Sequence, residues 1–262
     1  MIVAVVPVRN EEKRLKKTIK TILSTPVDLV IPVINGSTDN SLLLAQQFQT
    51  RVSPIYFDEP LGIDVPRAIG AKIAKDRGAK AVLFMDGDMD GTICKDLCKL
   101  LDQVISHHYD ISLTNCYPEI VSESLSPLAA HLFKERWQLN EKIGLVEIIG
   151  AASPSHGPHA VSRRFLDTIP LQDIAIPPVS LAIAVKKHLE INIGANISHK
   201  DLGSPERDQQ HSQLIAETII GDCIEALHTF RDEKRTRIRG QFEYKGYHPQ
   251  RRWDILEKFI RN

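Results

Sequence analysis

Two aspartates flank a glycine at Asp86-Gly87-Asp88, directly after the apolar run Val82-Leu83-Phe84-Met85. Carboxylates this close at the end of a buried strand repel each other, and a cation between them removes the penalty. A hard divalent ion such as Mg²⁺ or Mn²⁺ suits oxygen ligands and can also bridge a diphosphate. The chemistry on offer is neutralisation of the charge that develops when a nucleoside diphosphate leaves; the bland alternative is a solvated acidic turn. Two further polar turns follow apolar runs earlier in the chain, Pro7-Val8-Arg9-Asn10-Glu11 and Asn35-Gly36-Ser37-Thr38-Asp39. Each carries groups that a nucleotide needs.

The elements that must position these turns are legible from periodicity. Strands are expected at Ile2–Val8, Val27–Ile34, Val52–Phe57, Ala81–Met85 and Tyr109–Thr114, with helices between them capped at Asn10, Asp64 and Thr92. Single helices between strands imply right-handed crossovers and a mostly parallel sheet covered on both faces. In such an α/β fold, ligands sit beyond the carboxyl ends of the strands, where strand order reverses. If strands one and four are neighbours there, the three turns share one crevice.

Beyond residue 115 the pattern loosens. Helices are expected at Pro127–Ile143, Pro178–Leu189, Pro205–Arg231 and Trp253–Ile260, a strand over Glu190–His199, and an irregular loop over Gly150–Pro158. The expected division is 1–115 for donor binding, 116–230 for acceptor binding and 231–262 as a C-terminal tail and helix. That tail interleaves Arg231, Lys234, Arg235, Arg237, Arg239, Arg251 and Arg252 with Tyr244, Tyr247 and Trp253, but Asp232, Glu233, Glu243 and Asp254 dilute its charge. A solvated or homodimer-forming tail is expected.

The 262 residues carry 33 basic and 33 acidic side chains, a balance with no general attraction for nucleic acid or anionic lipid. Four scattered cysteines suit reduced thiols rather than a disulfide framework. The apolar start is too short for a signal peptide, and no stretch reaches the ~20 residues of a spanning helix, so a cytoplasmic protein is expected.

Pro7-Val8-Arg9-Asn10-Glu11-Glu12, Val33 to Ser41, and Leu83-Phe84-Met85-Asp86-Gly87-Asp88 resemble, in order and separation, the three donor segments of family-2 glycosyltransferases. The resemblance implies a Rossmann-like glycosyltransferase A-type fold, with a mostly parallel sheet and a helical C-terminal extension. It also implies a metal-dependent transferase taking a sugar from a nucleoside-diphosphate sugar, UDP-sugar above others. By that match Pro7, Arg9, Asn10 and Glu11 hold the nucleoside, and Asn35, Gly36 and Ser37 face the base, with Asn35 standing where the family carries an acid. Gly87 and Arg67 approach the diphosphate; Asp86 and Asp88 are the catalytic acids that hold the ion. Ile193 to His199 is similar to a segment of the glucosyl- and mannosyl-3-phosphoglycerate synthases, a retaining subgroup, where a histidine placed like His199 completes the Mg²⁺ or Mn²⁺ site. Ser155, His156, Gly157 and Arg163 fall in a stretch that resembles the subgroup's acceptor loop, implying a small, anionic acceptor. Pro158 departs from that pattern at a commonly acidic position.

Asp88-Met89-Asp90-Gly91-Thr92 also resembles the nucleophile loop of haloacid-dehalogenase-like phosphatases, with Asp88 attacking phosphorus and Asp90 as acid and base. That loop ordinarily follows the first strand of its domain, whereas three strand–helix units precede it here. A non-catalytic nucleotide-binding module is the third reading; it implies UDP binding without turnover.

Overall fold

The computed structural model describes residues 1–118, 125–205 and 208–261. Seven strands form one sheet: β1 (Ile2–Val8), β2 (Leu29–Asn35), β3 (Ile55–Phe57), β4 (Ala81–Phe84), β5 (Ile111–Asn115), β6 (His159–Ser162) and β7 (Ile191–Asn196). Their order is β3-β2-β1-β4-β6-β5-β7, so β1 and β4 are neighbours where the order reverses. Val5 pairs with Phe84 in parallel register, which brings the turns after both strands to one edge. The helices α1 (Leu15–Leu23), α2 (Ser41–Gln46), α3 (Val65–Asp76) and α4 (Cys94–Ile105) are the crossovers. Both faces of the sheet are buried. Val3, Val5, Ile31 and Phe84 pack under α3 on one face, and Ala4, Val6, Leu83 and Leu97 form the core on the other.

The strand β6 was not foreseen. Its four residues His-Ala-Val-Ser are too few to show a period, yet they wedge antiparallel between β4 and β5, with His159 opposite Phe84 and Ser162 opposite Ala81. Around it lie α5 (Pro127–Lys142), α6 (Val146–Ile149), α7 (Arg163–Thr168), α8 (Leu171–Ile174), α9 (Pro177–Lys186) and the long α10 (Gln209–Phe230). One sheet therefore takes strands from both sides of residue 115.

Of the three expected caps, Asp64 keeps its position and the other two are corrected by the structure. Asn10 does not start α1, which begins at Leu15; its left-handed backbone (φ 57°) turns its side chain to accept from the Thr38 amide at 2.8 Å. Asp64 adopts φ 60° at the start of α3, makes no cap hydrogen bond, and turns its carboxylate to two arginines. Thr92 gives way to Ile93 at the start of α4.

The C-terminal segment is not a solvated tail. It folds as a small hairpin, β8 (Ile238–Arg239) with β9 (Phe242–Glu243), followed by α11 (Trp253–Arg261). Arg237, Arg251 and Leu256 are buried. Charge dilution in the sequence concealed that these arginines have buried acidic partners elsewhere in the fold. Among the described residues, no helix is long and apolar enough to cross a membrane.

Candidate active site

Backbone contacts lock the three turns together. The Gly87 amide donates to the Pro7 carbonyl at 3.0 Å, and a Cβ on Gly87 would sit 3.0 Å from that same oxygen. A glycine is needed because the two turns cross this closely. The Asn10 amide donates to Ser37 Oγ at 3.1 Å, the Glu11 amide to Ser41 Oγ at 2.9 Å, and the Glu12 amide to Asp39 Oδ2 at 2.9 Å. Thr18 Oγ1, on α1, lies 3.1 Å from the carbonyls of both Gly87 and Met89. Arg9 and Asn10 are exposed at the rim, while Glu11 is buried. Gly36 is left-handed (φ 61°), and a Cβ there would meet the Pro60 nitrogen at 2.7 Å.

Asn35 is placed differently from its expected role. Its Oδ1 accepts from the Leu61 amide at 2.5 Å and its Nδ2 donates to the Gly62 carbonyl at 3.2 Å. Both ends of the side chain hold the loop before α3, so its direct work is to position that loop.

Arg67, only 6% exposed, lies within the first turns of α3. Its Nη2 donates to both Asp86 oxygens at 2.6 and 2.8 Å, while Nε faces Asp64 at 3.1 Å. Burial lowers the guanidinium's pKa, but the Asp86 and Asp64 carboxylates more than offset it, and the net shift is upward. Asp64 is pushed up by burial despite Arg67 and Arg251. Arg67 Nη1 is enclosed with no hydrogen-bond partner. Such a donor suits an anionic ligand oxygen. Beside it, His159 stacks on Phe84 with ring centroids 5.0 Å apart. Burial, helped by Arg67, takes the His159 pKa down to about 3, so it stays neutral.

The turn carrying His199 is pressed onto the turn after β4. The Gly91 amide donates to the Leu202 carbonyl at 3.0 Å, and a Cβ on Gly203 would lie 2.6 Å from Asp90 Oδ1. His199 is exposed, and its Nδ1 lies 3.3 Å from His156 Nε2. Burial depresses the His156 pKa, with Arg136 and His199 adding to it. Ser155 contacts Ser153 Oγ through its amide, at 3.3 Å, and Gly157 is left-handed (φ 80°) against Cys116. Asp86, Asp88 and His199 are not closed on one point. The one acid–histidine set whose ligand atoms lie within 4.8 Å of one another, among the described residues, is Asp222, Glu225 and His248. Arg237 and Arg251 already occupy those carboxylates, which argues against a metal there.

Arg163 does not join the crevice. Because β6 runs antiparallel to β4, Arg163 emerges beside Lys80 at the opposite end of the sheet. It is held there by Asp167 at 2.8 Å and the Lys75 carbonyl at 3.1 Å. The cation near His156 is instead Arg136 of α5, 3% exposed, with Nε enclosed and unpartnered. Its neighbour Glu135 is taken by Arg239 at 2.7 and 2.8 Å, and among the described residues no carboxylate pairs with Arg136. The Tyr117 hydroxyl hydrogen-bonds it; burial nonetheless raises the Tyr117 pKa. The sequence did hold a signal: Arg136 falls on the apolar stripe Leu132, Leu139, Ile143, where a charge is out of place.

The sequence model of glycosyl transferase family 2 matches residues 3–168, a span that contains all three turns. The chain belongs to glycosyl transferase family 2. As a glycosyltransferase it shares its fold with glucosyl-3-phosphoglycerate synthase from Mycobacterium tuberculosis. The structure of that enzyme with Mn²⁺, UDP and phosphoglyceric acid superposes with a TM-score of 0.58 at 19% identity, over 85% of this chain and 78% of the other. The structure with Mg²⁺ and UDP gives 0.58 at 18%, covering 85% and 79%. That with Mn²⁺, UDP-glucose and glycerol 3-phosphate gives 0.57 at 20%, covering 85% and 80%. At this identity the likeness is one of fold. No curated protein sequence matches the chain. In family-2 terms the glycosyltransferase A-type architecture is met: a mostly parallel sheet with the three turns at its carboxyl edge.

Proposed function

We propose that this family-2 glycosyltransferase moves a sugar, with retention, from a UDP-sugar to a small anionic acceptor, aided by Mg²⁺ or Mn²⁺. The observation that carries the reading is Arg67: gripped by Asp64 and Asp86 at the meeting of three turns, it keeps an enclosed Nη1 with no partner. Hard oxygen donors at Asp86 and Asp88 with a fixed cation behind them fit an ion and a pyrophosphate. Asp86, Asp88 and His199 would hold the ion, and its contribution when bound is to neutralise charge on the departing diphosphate.

The chain's own groups do the rest. Pro7 to Glu11 cradle the nucleoside, Gly36 and Ser37 shape the base pocket, and Asn35 keeps the loop before α3 in place. Gly87 lets the backbone close on the diphosphate. Arg67 orients Asp86 and offers Nη1 to a phosphate oxygen. Ser155, His156 and Gly157 form the acceptor side, and Arg136 meets the acceptor's negative group. That enclosed cation supports an acidic acceptor over a neutral one.

The test is a panel of UDP-, GDP- and ADP-sugars with Mn²⁺ and small phosphorylated or carboxylated acceptors, followed by nucleotide release and by the anomeric configuration of the product. UDP release that depends on an anionic acceptor is expected. Hydrolysis of p-nitrophenyl phosphate with no response to UDP would favour the phosphatase, and UDP binding without turnover would favour the binding module.

A further inference from the structure

We infer that Arg251, in the C-terminal segment, is a positioning residue of the donor site, acting on Asp86 through Asp64 and Arg67. Its side chain is fully enclosed and bridges two carboxylates. Nη1 and Nη2 grip Asp222 at 2.9 and 2.8 Å, and Nη2 reaches Asp64 Oδ2 at 3.3 Å. The other oxygen of Asp64 faces Arg67 Nε at 3.1 Å, and Arg67 closes on Asp86. Arg237 anchors the far end, binding Asp222 at 2.5 Å and Glu225 at 3.2 Å. Charges thus alternate without interruption from Glu225 on α10 to the acid after β4.

The backbone repeats the connection. The Arg252 amide donates to the Leu61 carbonyl at 2.9 Å, and Arg251 Nε donates to the Ile63 carbonyl at 3.3 Å. A Cβ on Gly62 would collide with the Gln250 carbonyl at 2.3 Å. Residues 250–252 therefore lie on the loop that Asn35 holds from the other side, and that loop sets the left-handed turn at Asp64. Enclosed groups in one ionic chain have few alternative partners, so losing a member displaces its neighbours rather than exchanging it for water. Without Arg251, Asp64 answers to Arg67 alone, and Arg67 is drawn from Asp86. A segment 187 residues beyond Asp64 is then part of the donor site.

This rests on the donor reading above, so the test has one ligand readout and one without ligand. UDP affinity in the presence of Mn²⁺ is measured by calorimetry on the wild type, Arg251→Met and Leu256→Ala, well below their melting temperatures. Leu256 is buried in the apolar core that α11 shares with α3 and carries no polar group, so its truncation loosens the same segment through packing. In parallel, exchange of the Arg67 Nε proton is followed by NMR in the free proteins, assigned by its loss in Arg67→Lys. Arg251→Met is expected to weaken UDP–Mn²⁺ binding about tenfold, a coupling typical of a shared network, and to raise the KM for the nucleotide sugar with little change in kcat. It should also speed Arg67 Nε exchange; Leu256→Ala should lower the melting temperature and change neither. Wild-type affinity and exchange in Arg251→Met, or equal losses in Leu256→Ala, would overturn the inference. If Arg251→Met does not fold, Asp64→Asn, isosteric at the middle link, is held to the same two readouts. A wild type that binds no UDP would sink the donor reading, and the exchange rates alone would then decide whether Arg251 holds Arg67.

Discussion

Arg67 and Arg136 are buried to a similar degree, at 6% and 3% exposure, yet their surroundings are opposite. Arg67 lies between Asp64 and Asp86, both within 3.1 Å. Arg136 has a phenol and an enclosed, unpartnered Nε, and the acid next to it in sequence faces Arg239. An unpaired charge in a protein interior costs several kcal/mol, a cost that a bound anion would remove. A compensated arginine shapes its carboxylates; an uncompensated one is waiting for a partner. On the proposed reading, the donor side is thus built before its ligand arrives, and the acceptor side is completed by it.

The largest effect that can break this contrast is at Asp88. Asp88→Ala should lower turnover by at least ~10², the scale of losing a preorganised electrostatic contact, while the melting temperature without metal stays nearly unchanged. A variant with full activity would remove the donor half of the contrast. Next come the arginines themselves, compared by calorimetric melting and acceptor kinetics. Arg67→Met takes from Asp64 and Asp86 the cation they share and should cost about 3–5 kcal/mol of stability. Arg136→Met strands none of the described acids, so its free protein should melt at or above the wild-type temperature, while its acceptor KM rises ~30-fold, or about 2 kcal/mol. Equal destabilisation by both would mean that Arg136 is an ordinary structural cation.

The smallest effect concerns His159, the neutral ring beside Arg67. In the unfolded chain its imidazole binds a proton near pH 6.5, but in the folded protein only near 3. Between those values the unfolded state holds more protons, so stability falls as pH drops below about 6.5. By pH 5.5 the wild type should have lost ~1.4 kcal/mol that His159→Phe, stacked on Phe84 but unable to titrate, retains. Parallel stability–pH curves for the two proteins would show that His159 titrates normally.

The same contrast governs what could be read from the sequence. The three turns are contiguous and follow strands with clear apolar runs, so the Asp86-Gly87-Asp88 turn could be picked out from the sequence. The adjacency of β1 and β4 that joins it to the first turn was there only a condition, which the structure meets. Family membership and fold followed from them. The proposed acceptor side depends on β6, whose direction no periodicity encodes; that direction sends Arg163 to the far edge and leaves Arg136 as the buried cation near His156. Asn35 was recognisable as a turn residue, but its use of both amide ends on Leu61 and Gly62 depends on a loop 26 residues away. Partners of buried charges are the hardest to read, because Arg251 and Asp64 meet only after the chain has folded around α3.

The measurement that bears most directly on the convergence of the three turns is the melting temperature with UDP, with Mn²⁺ and with both. Ligand at 100 times its Kd stabilises by ~2.7 kcal/mol, which at this chain length is a rise of roughly 5–10 °C. The rise with both together should exceed the sum of the separate rises, and Asp88→Ala should abolish the excess. Strictly additive shifts, or an excess that survives in Asp88→Ala, would contradict a shared ion and nucleotide site at that edge of the sheet.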